Sequence, residues 1–242
     1  MIKFVKVLWE KLTWKPQPKA ILLMGMPGAG KGTQAFRIVK ALPNSVHFDT
    51  GGEIYRRVTD PDYQNDPLVK EQKEVYFAGR LNEPKWVSEL VAERIRTYAA
   101  ERKSLIFSGS PRTLYEAKAL KPILFKEYGR KNVLMVALNI DLETAKQRSL
   151  NRLVCANKTC RFPTTKDQAG KPCPNCGKPL PTGEQEDEEW KINLLSTRVA
   201  EYLTRTIPAM EYLSNFRITK EINGEKSEEE ISRQILNKIK LM

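Results

Sequence analysis

The sequence predicts an α/β fold, in which five strands form a parallel sheet with helices on both faces. Three observations support this prediction. Short apolar runs alternate along the chain with segments of helical period, which is typical of a parallel sheet. The first apolar run leads directly into a glycine-rich turn. Residues 155–183 are rich in Pro, Gly and Cys and lack helical period, so we expect a small separate module inserted in the α/β body.

Composition and charge limit the class of protein before any motif is considered. The chain has 242 residues, of which 40% are hydrophobic and 29% charged, and these values exclude a disordered chain, a collagen-like repeat and a membrane bundle. The net charge of +12 favours anionic partners such as nucleotides, nucleic acid or an acidic membrane surface. The single histidine, His47, argues against histidine-rich metal sites and a Ser-His-Asp triad.

Residues 1–18 are predicted to form an N-terminal extension. Its apolar residues stand at helical spacing with lysines between them: Ile2, Val5, Trp9 and Leu12. We favour a short helix packed on the body of the protein, and the alternative is an anchor on an anionic membrane. Charged residues interrupt the apolar run and no small-residue cleavage site follows it, so we expect a cytoplasmic protein.

The predicted strands are the short apolar runs, and the predicted helices are the periodic segments between them. Strands are expected at Ala20–Met24, Val46–Phe48, Leu105–Phe107, Val133–Ile140 and Phe216–Thr219. Helices are expected over Gln34–Leu42, from Pro84 through Tyr98, after Thr113, over Leu142–Leu153, around Leu194–Leu203 and from Ser227 onward. The last of these should begin with a capping box at Ser227.

The glycine-rich turn is residues 25–33 (GMPGAGKGT), between the first strand and the first helix. Glycines allow several backbone N–H groups to point inward, and the helix N-terminus adds partial positive charge. Lys31 is placed to reach the outer phosphates of a nucleotide. This context predicts a phosphate-binding loop, and an unused glycine-rich turn is the alternative.

All four cysteines lie in the inserted module, at Cys155, Cys160, Cys173 and Cys176. The second pair belongs to a CPNCG sequence, a turn typical of zinc ribbons. Four thiolates without histidine form a closed tetrahedral site, so we expect a structural Zn²⁺ ion. Free thiols or two disulfides are the alternatives.

Several segments resemble the nucleoside monophosphate kinases, and adenylate kinases in particular. The loop matches their G-x-P-G-x-G-K-G-T motif, and residues 108–113 (SGSPRT) are similar to their D-G-F-P-R-T. Residues 48–56 (FDTGGEIYR) are similar to the family's T-G-D-x-x-R segment, with one extra residue before the arginine. The resemblance covers Lys19 to Lys240. It implies reversible, Mg²⁺-dependent phosphoryl transfer from ATP to AMP, giving two ADP.

The same resemblance implies which residues form the site. For AMP it implies Thr50, Gly51, Arg56 (with Arg57 as the alternative), Arg112, Glu116 and Arg198. For ATP it implies Gly28, Ala29, Gly30, Lys31, Gly32, Thr33, Arg148 and Lys226. The residues expected to act on the transferred group are Lys31, Arg112, Arg148, Arg152 and Arg198. All of these residues are basic, and the physical reason is that fixed cations stabilise the negative charge on the phosphoryl group during its transfer.

The chain departs from the family pattern at three places. Ser108 replaces the acid that orients the water shell of Mg²⁺, and Asp49 on the adjacent strand is our candidate for the missing charge. Glu116 replaces the glutamine that reads adenine, so another nucleoside monophosphate is an alternative acceptor. The arginine of the family segment that returns from the lid is replaced inside residues 186–190 (EDEEW), which overlap an acidic run, Glu184–Glu189.

The expected domain organisation follows the resemblance. The core comprises residues 19–49, 80–152 and 190–242, the monophosphate-binding module residues 50–79, and the zinc-binding lid residues 153–189. We expect a monomer with ATP, AMP and ADP as partners and no nucleic acid. A zinc-ribbon nucleic-acid-binding protein with a vestigial kinase core is the third alternative, disfavoured by the acidic run and by the lack of interleaved aromatic and basic residues.

Overall fold

The structure is a computed structural model that describes residues 17–157, 159–182, 188–216 and 218–242. The predicted N-terminal helix and residues 184–187 of the acidic run lie outside the described residues. Among the described helices, none is long and apolar enough to cross a membrane.

Five strands form one parallel sheet, and two short strands form a separate antiparallel pair. The strands are β1 Ala20–Gly25, β2 Ser45–Asp49, β3 Ser104–Ser108, β4 Val133–Asn139, β5 Arg152–Val154, β6 Pro163–Thr165 and β7 Thr219–Asn223. The large sheet has the order β2-β3-β1-β4-β7, and β5 pairs with β6 at the base of the cysteine module. The predicted five-stranded parallel sheet is therefore confirmed.

Helices connect the strands and extend beyond them. They are α1 Lys31–Ala41, α2 Thr50–Thr59, α3 Pro67–Phe77, α4 Pro84–Ala100, α5 Leu114–Tyr128, α6 Leu142–Asn151, α7 Glu188–Glu201, α8 Ile207–Ser214 and α9 Glu228–Lys240. A π-helical turn, Tyr202–Thr206, joins α7 to α8. One half of the predicted capping box is present: the Ser227 hydroxyl accepts a hydrogen bond from the Glu230 amide at 3.3 Å, while the Glu230 carboxylate pairs with Lys226.

The core has two layers because the side chains of each strand alternate between the two faces of the sheet. In β1, Leu22 and Met24 pack into one layer with residues of α4, α5 and α8. Ile21 and Leu23 pack into the other layer with residues of α1 and α9. Helices therefore cover both faces, as predicted.

Two predicted elements were wrong in position. The last strand is Thr219–Asn223 and not Phe216–Thr219, since the Phe216 ring packs against Tyr212 at a centroid distance of 5.2 Å. This edge strand buries Ile222 and exposes the residues beside it, so its apolar signal is weak. The helix predicted over Leu142–Leu153 ends at Asn151, because Arg152 begins β5.

The carboxyl ends of the parallel strands meet at one edge of the sheet. Gly25 ends β1 there, and Asp49 and Ser108 face each other as register partners at the ends of β2 and β3. Ligands of open parallel sheets bind at this edge. The loops and helices that follow these three strands hold most of the residues predicted to bind nucleotide.

Candidate functional site

The loop between β1 and α1 has the predicted strand, turn and helix form. Gly28 has φ +85°, and a Cβ there would lie 2.7 Å from the Ala145 carbonyl oxygen, so a side chain would not fit. Gly30, with φ +83°, precedes the first residue of α1 and faces open space. The loop therefore presents backbone N–H groups at a helix N-terminus without side chains in the way.

Lys31 curls back over this loop. Its Nζ donates hydrogen bonds to the carbonyl oxygens of Gly25 at 2.7 Å and Met26 at 2.8 Å. Burial, followed by the charges of three arginines, lowers its pKa to about 7, while the charge of Asp49 opposes the shift. Those arginines are Arg112, Arg152 and Arg198. A nearby polyanion would strongly stabilise the protonated form of a lysine in such surroundings.

The three arginines reach this point from separate parts of the chain. Arg112 follows β3, Arg152 begins β5, and Arg198 lies in α7. Desolvation lowers the pKa of Arg198 to about 10, and the charges of Arg112 and Arg152 contribute to the shift. Four cations predicted from separate motifs are thus brought into mutual electrostatic range at the phosphate loop.

Arg148 and Lys226 are connected with the turn that follows β7. The Arg148 guanidinium donates to the Gly224 carbonyl oxygen at 2.7 Å, which ties α6 to the turn after β7. A Cβ at Gly224 would come within 3.6 Å of the Ala29 carbonyl oxygen, so this turn lies against the phosphate loop. Lys226, in the same turn, pairs with Glu230 at the surface.

Thr50 and Gly51 begin α2 at the end of β2. Thr50 is 3% exposed, and its hydroxyl has no hydrogen-bond partner in the described part of the chain. A buried hydroxyl without a partner is destabilising and uncommon. A polar group of a ligand would satisfy it. The Thr50 side chain borders Gly109, where an added Cβ would lie 3.4 Å from the threonine Cβ.

Arg56 belongs to an ionic cluster on α2. Glu53 pairs with Arg56 and, across to α4, with Arg94 at 2.7 Å. Burial opposes ionisation of Glu53, but hydrogen bonds from the two arginines outweigh it and lower its pKa. Arg57, the alternative, lies instead over the Tyr63 ring at 4.2 Å. Arg94 follows no motif, and sequence reasoning missed it.

Glu116 organises the loop that carries Arg112. It is 2% exposed, and its carboxylate accepts hydrogen bonds from the Ser110 hydroxyl, the Arg112 amide and the Thr113 hydroxyl at 3.0–3.1 Å. Burial raises its pKa despite these donors. The side chain therefore fixes the turn between β3 and α5, and its predicted contact with a base stays a prediction.

Asp49, Ser108 and His47 form a polar group at the ends of β2 and β3. The Ser108 hydroxyl lies 2.6 Å from His47 Nε2. Burial lowers the pKa of His47, which favours the neutral ring. Asp49 precedes α2 but makes no capping hydrogen bond to it. Its carboxylate is therefore available to other groups at this edge.

The four cysteines converge on one point. The Sγ atoms of Cys155 and Cys176 lie 3.6 Å apart, those of Cys160 and Cys173 lie 3.8 Å apart, and all four lie within 4.8 Å of one another. No disulfide joins them. A tetrahedral ion with bonds of ~2.3 Å to sulfur separates its ligands by roughly 3.8 Å. The thiol cluster therefore fits a metal ion.

The cysteine module lies over the phosphate loop. Its Phe162 ring packs against Phe36 of α1 at 5.0 Å, and Pro163 lies 3.5 Å from where a Cβ of Gly32 would be. Arg161 extends from the module toward Asp49, with 3.9 Å between Nε and Oδ2. Sequence reasoning missed Arg161 because it belongs to no motif of the resembled family.

A parallel sheet with a phosphate loop, faced by arginines from other segments of the chain and from a four-cysteine module, defines this protein as a P-loop nucleotide kinase. The family model for adenylate kinase matches residues 23–218. Adenylate kinase of Fervidobacterium nodosum is 30% identical over 221 residues, which is 90% of this chain and 95% of the relative. The adenylate kinases of Staphylococcus epidermidis (30% identity, 90% and 97% covered) and Pseudothermotoga lettingae (30% identity, 91% and 97% covered) are similar to the same extent. The chain belongs to the adenylate kinase family.

Proposed function

We propose that the protein catalyses the reversible transfer of a phosphoryl group from ATP to AMP, giving two molecules of ADP. The observation that carries this proposal is the convergence of Lys31, Arg112, Arg152 and Arg198 at the phosphate loop. Like charges repel, so such a cluster is costly unless a strongly anionic ligand compensates it. Two nucleotides held end to end supply that ligand.

The chemistry needs positioning and charge rather than a covalent intermediate. The backbone N–H groups of residues 28–33 and the Lys31 ammonium hold the outer phosphates of ATP. Arg112, Arg152 and Arg198 stabilise the charge that spreads over the oxygens of the transferred group. The cysteine module over the loop excludes water, which would otherwise compete as acceptor. Arg148 and Lys226 are assigned to the part of the site that binds ATP.

AMP is assigned to the edge formed by the ends of β2 and β3. The unpartnered Thr50 hydroxyl supports a base contact there, with Gly51 beside it. Arg112 and Arg56 are assigned to the acceptor phosphate. Glu116 supports this site by fixing the loop of Arg112. The division into core, monophosphate-binding module and lid stays a prediction, with the bounds given in the sequence analysis.

Two metal ions belong to the proposal. The cysteine cluster fits a structural Zn²⁺, since four thiolates leave no open coordination position. Mg²⁺ would come with the nucleotide and would neutralise part of the phosphate charge. Asp49 and Ser108 are the residues assigned to its hydration shell, because both lie at the edge of the sheet beside the phosphate loop.

The test is a coupled assay of ADP formation from ATP, with AMP, CMP, UMP and GMP offered in turn. AMP should be the preferred acceptor, and Lys31→Ala should lower turnover by roughly 10³-fold or more. Lys40→Ala, at the exposed end of the same helix, is the matched control and should retain full activity. Preference for another monophosphate would indicate that the replacement of the family glutamine by Glu116 changes the acceptor specificity. Full activity of Lys31→Ala would refute the assignment of the loop.

A further inference from the structure

The two cysteine turns place different residues at the same backbone position. Gly177 follows Cys176 with φ +73°, and Arg161 follows Cys160 with φ +47°. This left-handed conformation suits glycine and is unfavourable for a residue with a Cβ. Arg161 occupies it despite that local cost. Strained positions of this kind cluster at functional sites, so this backbone conformation points to a functional role for the Arg161 side chain.

The Arg161 side chain leaves the cysteine module and enters the cleft beside α2. Its guanidinium carbon lies 4.8 Å from the centre of the Tyr55 ring, in a cation–π arrangement. Gly52 permits the approach, since a Cβ there would lie 3.2 Å from Arg161 Cδ. The side chain is thus held by contacts of its Cδ and of the guanidinium face, and not by hydrogen bonds from its N–H groups.

The polar atoms of Arg161 are incompletely satisfied. Its Nε is buried and has no hydrogen-bond partner in the described part of the chain. The nearest carboxylate oxygen, on Asp49, is 3.9 Å away, which is beyond hydrogen-bonding distance. A buried donor that lacks an acceptor indicates a binding partner that completes it.

Arg161 also adds to the positive charge around the phosphate loop. Its charge contributes, after desolvation, to the lowered pKa values of Arg152 and Arg198. The group of cations described above therefore has a fifth member, and this member comes from the cysteine module. The sequence lacks the family arginine in the acidic run at residues 184–189, and the charge of Arg161 would replace that missing charge.

We propose that Arg161 binds phosphate oxygens of the nucleotide substrates and positions them for transfer. The inference rests on the proposed function, because it assigns a residue to that same site. A planar guanidinium offers two parallel donors to a phosphate, and the unpartnered Nε is one of them. The cation–π contact with Tyr55 holds the group in place without occupying its donors.

Two variants of the full-length, metal-loaded protein test the proposal. Arg161→Gly removes the side chain and restores the residue that the backbone position favours, so the turn should still fold. Arg161→Lys keeps the charge but removes the two-pronged donor. Arg102→Gly is the matched control, because Arg102 also has a positive φ, +54°, and lies just before β3 at the opposite edge of the sheet.

Three kinds of measurement are made: kcat/KM for ATP and for AMP, the affinity for inorganic tripolyphosphate by calorimetry, and the integrity of the protein by zinc content and melting temperature. We expect Arg161→Gly to lower kcat/KM and tripolyphosphate affinity by roughly 10-fold or more. Arg161→Lys should recover part of each loss. Zinc content should stay that of the unmodified protein in all variants, and Arg102→Gly should match it in every measurement.

The outcomes separate this proposal from the proposed function. Unchanged kcat/KM and tripolyphosphate affinity in Arg161→Gly would overturn the role of Arg161. A loss of activity accompanied by loss of zinc would also overturn it, because the residue would then serve only the turn. If the unmodified protein formed no ADP from any monophosphate, the proposed function would fail. Weaker tripolyphosphate binding by Arg161→Gly would still support the phosphate contact.

Discussion

Asp49 and Ser108 lie side by side at the carboxyl edge of the sheet, where the resemblance leads us to expect an acid on β3. They are register partners at the ends of β2 and β3, as their predicted positions at the same edge require. Ser108 is bonded to His47 and carries no charge, whereas the Asp49 carboxylate stabilises the protonated form of Lys31. We propose that Asp49, one strand away, supplies the negative charge that the resemblance leads us to expect at the end of β3.

This arrangement predicts that Asp49 orders the hydration shell of nucleotide-bound Mg²⁺. Asp49→Asn should raise the Mg²⁺ concentration for half-maximal ADP formation, because the amide carries no charge. It should also weaken the dependence of ATP affinity on Mg²⁺, measured by calorimetry without turnover. Adding Ser108→Asp to Asp49→Asn should partly restore both quantities. Identical Mg²⁺ dependence in the unmodified protein and Asp49→Asn would contradict this role.

Arg112 and Arg56 are expected to act on the acceptor side. Arg112→Ala and Arg56→Ala should each raise the KM for AMP far more than that for ATP, because a two-pronged guanidinium–phosphate contact is lost. We expect roughly 10-fold or more for the AMP value. Arg57→Ala is the matched control, since its guanidinium lies over Tyr63. Equal increases in the KM values for AMP and ATP would show that these residues do not belong to the acceptor site.

Residues that belong to motifs could be predicted, and residues that act through tertiary contacts could not. Lys31, Arg112, Arg152 and Arg198 each stand in a recognisable segment, and the fold brings them together. Arg161 follows a cysteine turn in a segment that differs from the family. Its position against Tyr55 and Asp49 depends on how the cysteine module packs. Arg94 likewise reaches Glu53 only through the packing of two helices.

At the scale of the element, the cysteine module depends on its thiol cluster. Its described residues bury few apolar side chains beyond the cysteines themselves, with Leu180 and Phe162 packed against them. The amide of Asn175 donates to Cys160 Sγ at 3.2 Å, as expected for a group that supports a metal ligand. We therefore expect metal binding to supply much of the folding free energy of this module.

We predict one zinc ion per chain, held by the four cysteines. Elemental analysis of protein purified without added metal should find it, and Cys173→Ser should lower the content sharply. A chelator should increase amide hydrogen exchange in residues 155–182 before it affects β1, because the sheet core does not depend on the ion. Absence of zinc together with four titratable thiols would refute this prediction.

Elements with a strong apolar signal were predicted closely, and those with a mixed signal were not. The strand β1 buries every residue, so its apolar run is unmistakable. The edge strand β7 buries only Ile222, and the neighbouring aromatic Phe216 drew the prediction toward the wrong residues. The helices α2 and α3 were not delimited from periodicity, since few of their residues reach the core.

At the scale of the whole molecule, the site stores electrostatic repulsion that a ligand relieves. The described acids compensate the cations at the phosphate loop only in part, and Asp49 is the carboxylate that acts on Lys31. Binding of a polyanion should therefore stabilise the folded protein, as any ligand of the native state does. The same repulsion should make the stability of the free protein depend on pH through Lys31.

The sign of that dependence follows from the pKa of Lys31. Its value is about 7 in the folded protein, against a usual value of 10.5 that we take for the unfolded chain. Between these values the unfolded chain binds more protons, so the free energy of unfolding rises with pH. The destabilising contribution is complete below about pH 7 and fades toward pH 10.5. One proton gives a slope of at most about 1.4 kcal/mol per pH unit.

Lys31→Met should lose this slope, because methionine does not titrate. The measurement is the free energy of unfolding in urea for both proteins, at several pH values between about 7 and 10. The difference, unmodified protein minus variant, should grow in favour of the unmodified protein as pH rises. Since groups outside the site titrate alike in both proteins, the comparison cancels their contributions. Saturating ATP should flatten the difference, because bound phosphate raises the pKa of Lys31. Parallel stability curves for the two proteins without nucleotide would show that Lys31 keeps its ordinary pKa and that the repulsion is not stored there.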